Sequence, residues 1–291
     1  MRYRSLLVIL PAVLGGCTPS VLDPAGPISR QERLILFDSL AIMLAIVVPT
    51  ILAILGFAFW YRAGNSRARY LPDFSYSGRL ELIIWSIPTL VILFLGGVAW
   101  TGAHDLDPAK PLKGKPLEVD VVAMDWKWLF LYPEQNVASI GQLVIPAGTP
   151  VHFRITSASV FNGFFIPRLG SQIYAMHGMV TQLNLKADRP GQYQGLSSHF
   201  SGDGFSDMGF SVTSVTASQF GRWAAGARRS GAVLNEAGYR ALLKQSRAAA
   251  PQTFRVTAPG LFDAITSGAL PSGNGPTEGL PQTNVHPIGG R

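Results

Sequence analysis

The sequence is poor in cysteine, in charge and in histidine, and each shortage removes a class of function. Cys17 is the only cysteine among 291 residues, so neither a disulfide framework nor a cysteine-based metal site can form within one chain. Charged residues make up 14% of the chain and hydrophobic residues 47%, with a mean hydropathy of +0.24. That balance fits one modest domain plus membrane segments. The five histidines, at 104, 152, 177, 199 and 286, show no ligand spacing. The net charge of +7 is not gathered with aromatics into a basic patch, which argues against nucleic acid as a partner. Gly202-Asp203-Gly204-Phe205 lacks the strand-to-helix setting of a phosphate loop. Ser197, Ser198 and Ser201 lie near His199 without a G-x-S-x-G elbow or an orienting acid. No catalytic residue is therefore assigned to this chain.

Apolar runs dominate what is present. Arg2 and Arg4 precede the run Leu6 to Leu14, and Leu14-Gly15-Gly16 brings small residues ahead of Cys17. This is the order of a secretory signal peptide, and it resembles a bacterial lipobox. Residues 1–16 are then the signal, and Cys17 is the acylated, palmitate-bearing first residue of the mature chain. A periplasmic linker, 17–33, leads to residues 34–103, a transmembrane hairpin. Its spans are Leu34 to Trp60 and Leu82 to Trp100, with Pro49 and Pro88 inside them. Each has the roughly 20 residues that a bilayer core requires. Arg62, Arg67, Arg69 and Arg79 hold the connection on the cytoplasmic side. Both ends then face the periplasm of a bacterial inner membrane.

Past His104 the hydrophobic period changes. Leu117 to Val121 alternates apolar with charged, and Trp126 to Tyr132, Gln142 to Ile145, Val151 to Thr156, Thr181 to Lys186, Gln192 to Leu196 and Gly209 to Val215 are further short β-rich runs. They predict an antiparallel β-sandwich over 104–216. Helical patterns return at Gln219 to Arg229 and Glu236 to Arg247, giving a basic C-terminal arm, 217–270, with a solvated surface. The Gly- and Pro-rich tail, 271–291, has the composition of a disordered segment. The fold class is a membrane-anchored α+β chain: a two-helix hairpin, a sandwich and a short helical arm.

Three stretches carry a resemblance: M-D-W-K-W-L-F-L-Y-P-E-Q from Met124, F-F-I-P-R-L-G-S-Q-I-Y-A-M from Phe164, and S-S-H-F-S-G-D-G-F-S-D-M from Ser197. The chain resembles subunit II of the haem-copper respiratory oxidases, in the variant found in quinol oxidases of the cytochrome bo type. That family's sandwich is cupredoxin-like. In its copper-bearing members the last stretch reads C-x-E-x-C-x-x-x-H-x-x-M and holds a binuclear copper centre. Here the thiolate positions fall on Ser197 and Ser201, the imidazole positions on Asn162 and Phe205, and the acidic position on His199; Met208 alone keeps its donor. Copper of this kind needs thiolate and imidazole, so no metal is expected. Imidazole is also a poor ligand for the magnesium that the acidic position serves. A new copper site from His177, His199, Met176, Met179 and Met208 is the weaker reading, because methionine more often fills cores.

The resemblance implies a non-redox subunit of a proton-translocating ubiquinol oxidase. Haems and one copper belong to the partner subunit I, smaller membrane subunits and lipid complete the assembly, and ubiquinol is its substrate. It also implies that Glu81, at the cytoplasmic start of the second span, lies at the mouth of a proton channel, and that the C-terminal arm packs against the sandwich or a neighbouring subunit. Trp126, Trp128 and Arg168 are expected at packing or subunit contacts. The rival readings are a copper-bearing cytochrome c oxidase subunit and a stand-alone lipoprotein with a binding or assembly role.

Overall fold

The computed structural model describes residues 21–69, 71–247, 249–273 and 275. The signal peptide, Cys17 and most of the tail lie outside the described residues. The chain divides into two units: residues 31–107, and the segment up to Arg30 joined with everything from Pro108 onward.

The smaller unit holds most of α1 (Pro27–Trp60) and α2 (Gly78–Asp105). Proline suits a first helical position, where its fixed φ helps and its missing N–H costs nothing, so α1 starts ahead of the apolar run that begins at Leu34. At 34 and 28 residues the helices measure about 51 and 42 Å at ~1.5 Å per residue, enough to cross a bilayer. Their apolar side chains are exposed all round, Phe57, Leu82, Trp85 and Ile92 among them. Helices apolar on every face take lipid or other helices as cover. Near one end they meet each other, where a Cβ on Gly102 would come within 2.8 Å of the Ile35 side chain.

Among the described residues the larger unit contains twelve strands: β1 (Leu117–Met124), β2 (Lys127–Tyr132), β3 (Val137–Ile140), β4 (Gln142–Pro146), β5 (Pro150–Ser157), β6 (Asn162–Phe165), β7 (Ile173–Ala175), β8 (Thr181–Lys186), β9 (Gly191–Ser197), β10 (Phe210–Val215), β11 (Val233–Leu234) and β12 (Gln252–Val256). One sheet runs β11-β12-β3-β2-β1-β5-β8 and the other β4-β10-β9-β6-β7. Most neighbours are antiparallel, but β1 with β5, β4 with β10 and β11 with β12 are parallel. The sandwich is thus mixed. Side-chain alternation reports which face of a strand is buried, not the direction of its neighbour.

Period-two alternation sorts the core. Val119, Val121 and Ala123 of β1 and Trp128, Phe130 and Tyr132 of β2 point between the sheets, where they meet Phe153, Phe164 and Phe210. The intervening Val122, Met124, Leu129 and Leu131 face outward into a second core, made with Leu234, Tyr239, Phe254, Phe262 and Ile265. Tyr132 ties the layers together, since its hydroxyl donates to the Val144 carbonyl at 3.0 Å and accepts from the Val144 N–H at 2.9 Å.

The C-terminal arm is where the structure departs most from expectation. It contains α3 (Ala217–Arg229), α4 (Glu236–Leu242) and α5 (Leu261–Thr266), but also β11 and β12, which extend the larger sheet beside β3. Phe220, Ala224 and Ala227 form a buried stripe on α3, so the arm covers the sandwich instead of standing in solvent. The helix expected to run to Arg247 stops at Leu242. Beyond it the Lys244 carbonyl and the Ser246 hydroxyl accept hydrogen bonds from the buried Lys127 ammonium, at 2.6 and 2.7 Å.

Part of the expected linker is likewise structural. Ala25 and Ser29 are buried; the Ala25 N–H donates to the Arg168 carbonyl at 2.7 Å and the Ser29 N–H to Leu169 at 3.3 Å. Ion pairs Arg168–Asp23 and Arg30–Asp188 fasten the same segment.

Candidate functional site

The loop from Ser197 to Met208 joins β9 to β10 and carries most of the candidate positions. Asn162 opens β6, Ser197 closes β9, and Ser201 and Met208 flank a short 3-10 turn, Phe205–Asp207. Asn162, Ser197, Ser201 and Met208 are all buried. Their polar atoms are turned on one another and on the backbone. Ser197 Oγ lies 3.3 Å from Asn162 Oδ1 and 3.2 Å from the His199 carbonyl, to either of which it can donate. Asn162 Nδ2 donates to the Val160 carbonyl at 3.0 Å, and Ser201 Oγ donates to Met208 Sδ at 3.9 Å. Phe205 is half-buried and packs at a tilt against the exposed Phe200, ring centroids 5.7 Å apart.

Two indoles close the loop from below. Trp128 donates to the Met208 carbonyl at 3.1 Å, and Trp126 to the Ser201 carbonyl at 3.0 Å. Trp126 sits in the β1–β2 turn with φ of +61°, a left-handed conformation that a bulky side chain adopts only when its surroundings require it. Here the reward is contact with Gly204, where an added Cβ would fall 2.2 Å from the indole. Arg247 lies over that indole at 5.4 Å and pairs with Asp203 at 3.9 Å, so the C-terminal arm also holds the loop. Trp128 is enclosed in the chain's own core. Arg168 is engaged within the chain as well, donating to the Asp23 carbonyl at 3.0 Å and lying 5.3 Å over the Tyr193 ring.

Amide, hydroxyl and phenyl groups supply no soft donor beside the single thioether, and the polar ones are held in hydrogen bonds. The residues present do not fit a binuclear copper centre. No group of three or more histidine, cysteine or acidic residues clusters at metal-ligand distances among the described residues. His199 is exposed and packs edge-on against Phe161 at 4.5 Å. His177 turns Nδ1 toward the Ser157 carbonyl at 3.2 Å, Met179 is exposed, and Met208 is buried. The two imidazoles thus have separate partners.

A model of the periplasmic domain of cytochrome c oxidase subunit II matches residues 134–215. Ubiquinol oxidase subunit 2 of Acetobacter aceti is 46% identical over 259 residues, which span 88% of this chain and 84% of that protein. The chain belongs to the ubiquinol oxidase subunit 2 family. Cytochrome bo(3) ubiquinol oxidase subunit 2 of Pseudomonas putida is 42% identical over 270 residues, 91% of this chain and 86% of that protein. Among solved structures, the periplasmic domain of cytochrome oxidase subunit II from Bradyrhizobium japonicum is 21% identical, covering 40% of this chain and 98% of its own, with a TM-score of 0.38. This ubiquinol oxidase subunit thus carries the family's domain on two helices of membrane-spanning length.

Glu81 stands in the first turn of α2 and is exposed in the isolated chain. Its Oε2 accepts a hydrogen bond from Trp85 Nε1 at 3.2 Å, one helical turn on.

One cluster escaped the sequence reading. Asp120 is 2% exposed, and Arg154 grips it with two hydrogen bonds, of 2.7 and 2.8 Å. Arg154 also reaches Asp263 at 3.3 Å and lies over Phe262 at 4.7 Å. Burial pushes the Asp120 carboxyl above its ordinary range, and the bonds from Arg154 oppose that shift. A signal existed: β1 and β5 pair in parallel with Asp120 opposite Arg154, which sets opposite charges side by side once the pairing is known.

Proposed function

We propose that this subunit serves a bacterial inner-membrane ubiquinol oxidase without handling electrons itself. The observation that carries the reading is the hydrogen bonding of this loop, in which buried Asn162 and Ser197 engage each other and the backbone and buried Ser201 donates to the Met208 thioether. With no acceptor in the sandwich, electrons pass from ubiquinol to redox groups in the partner subunit I, where haems, one copper ion and the reduction of oxygen to water reside. The sandwich caps that partner on the periplasmic side. The N-terminus, acylated at Cys17, lies on the same side, in keeping with the basic turn between the spans.

Glu81 is the proton entry. An acid at a membrane-facing helix start is costly unless protein, water or headgroups meet it, and such acids mark proton routes. Here Glu81 takes up protons from the cytoplasm for the partner's oxygen chemistry and for proton translocation. Oxygen uptake by the purified complex, with ubiquinol and with reduced cytochrome c as alternative donors, tests the electron route. Uptake with ubiquinol alone supports it, and uptake driven by cytochrome c refutes it.

A further inference from the structure

The turn between α1 and α2, residues 61–77, carries Arg62, Arg67 and Arg69 against a single acid, Asp73. Inside it opens a cleft of about 680 Å³. Phe57 and Leu80 wall the cleft from the two helices, Leu71 and Phe74 from the turn, and Arg62 and Arg69 share the same space. The turn has a defined shape, since Asn65 donates to the Trp60 carbonyl at 2.5 Å and accepts from the Arg67 N–H at 3.2 Å. Arg62 lies against the Phe59 ring at 4.2 Å and donates to the Phe59 carbonyl at 3.0 Å. Among the described residues neither Arg62 nor Arg69 forms an ion pair.

Two properties of the cleft must be met together. Its apolar walls are exposed, Leu71, Phe74 and Leu80 each by about half or more, and they ask for hydrocarbon. Its two guanidinium groups have no ion-pair partner among the described residues and present planar forks that match phosphate oxygens. A small anion satisfies only the arginines and a neutral acyl chain only the walls. The cleft begins where two membrane-length helices end, the level at which lipid phosphates meet acyl chains, and basic pockets beside membrane helices recruit anionic headgroups. We infer that this cleft binds one anionic phospholipid, with its phosphate between Arg62 and Arg69 and an acyl chain along Phe57, Leu71, Phe74 and Leu80. The bound lipid stiffens the turn that leads into Glu81.

The test is native mass spectrometry of the intact complex in neutral detergent. Phosphatidylglycerol is the probe, phosphatidylcholine the neutral control and inorganic phosphate the competitor. Wild type is expected to retain one phosphatidylglycerol per chain that the Arg62→Gln/Arg69→Gln variant loses. Arg67→Gln, which alters a turn arginine outside the cleft, is expected to retain it. Equal retention by the double variant overturns the proposal, as does equal retention of phosphatidylcholine. Displacement by millimolar phosphate would show an anion site without lipid, and lipid bound by the free full chain but excluded from the complex would show a partner segment in the cleft; either outcome also overturns it. If the double variant does not assemble, Arg69→Gln is read instead, with an expected tenfold loss in a phosphatidylglycerol titration. Haem content and oxygen uptake are recorded alongside, so a failed oxidase reading is distinguishable from a failed lipid site.

Discussion

The Trp128 indole donates to the main-chain carbonyl of Met208 at 3.1 Å, so the residue whose thioether position survives in the loop is held through its backbone by the sandwich core. The thioether itself receives the Ser201 hydroxyl. Where the copper-bearing pattern would place a metal, hydrogen bonds and aromatic packing keep the loop in shape. From that arrangement follow expectations about both the loop and its supports.

Gly204 exists for Trp126. A Cβ there would fall 2.2 Å from the indole, and the indole is fixed by its bond to Ser201 and by the strained backbone beneath it. Gly204→Ala should therefore destabilise the chain by about 1–3 kcal/mol, the usual cost of overpacking. A urea midpoint lowered with unchanged slope, together with a shifted Trp126 emission, would show it. An unchanged midpoint would mean the turn is free to move.

Arg154 keeps Asp120 tolerable inside the protein. Arg154→Met leaves a carboxylate of 2% exposure without its partner, and breaking a buried pair in this way costs about 3–5 kcal/mol. Burial already raises the Asp120 pKa, and loss of the guanidinium raises it further, so the native state of the variant takes up a proton as pH falls. The deficit should be large at neutral pH and shrink toward acid pH. Unfolding midpoints across that range decide it, since a deficit independent of pH would assign the loss to packing alone.

Lys127 has the opposite dependence. Burial lowers its pKa, while Asp125 partly opposes the shift, so in the window between the folded value and the ordinary lysine value the unfolded chain binds more protons than the native one. Stability should rise with pH through that window. Lys127→Met should abolish the alkaline rise and, by leaving the Lys244 carbonyl and Ser246 hydroxyl unpaired, cost about 1–2 kcal/mol at neutral pH. Hydrogen exchange in residues 243–247 would report the released segment.

Glu81→Ala should slow turnover about tenfold or more, a barrier change of about 1.4 kcal/mol, with a matching loss in proton uptake, and Glu81→Asp should be milder. Stopped-flow proton uptake by the reconstituted complex measures this. Normal uptake in the alanine variant would remove Glu81 from the proton route.

Much of this was readable from the chain alone, and the failures share a cause. The two helices were legible because their apolar character runs unbroken for more than a bilayer's thickness, and the emptied metal site because Ser197, Ser201, Asn162 and Phe205 lack the donor chemistry whatever their geometry. What stayed hidden depends on partners distant in sequence. Asp120 reads as a solvent-facing residue of an alternating strand until Arg154 and α5 cover it. The strand β12 carries no period that distinguishes it from loop, and becomes a strand because β3 offers an open edge. The turn conformation of Trp126 is set by Gly204 and Ser201, some 75 residues later in the chain.

Whether electrons bypass this subunit is decided by donor preference measured together with copper content. The purified complex should reduce oxygen with ubiquinol, fail to do so with reduced cytochrome c, and show no near-infrared band from a copper pair. Oxygen uptake driven by cytochrome c, with copper bound to this chain at stoichiometric level, would contradict the account.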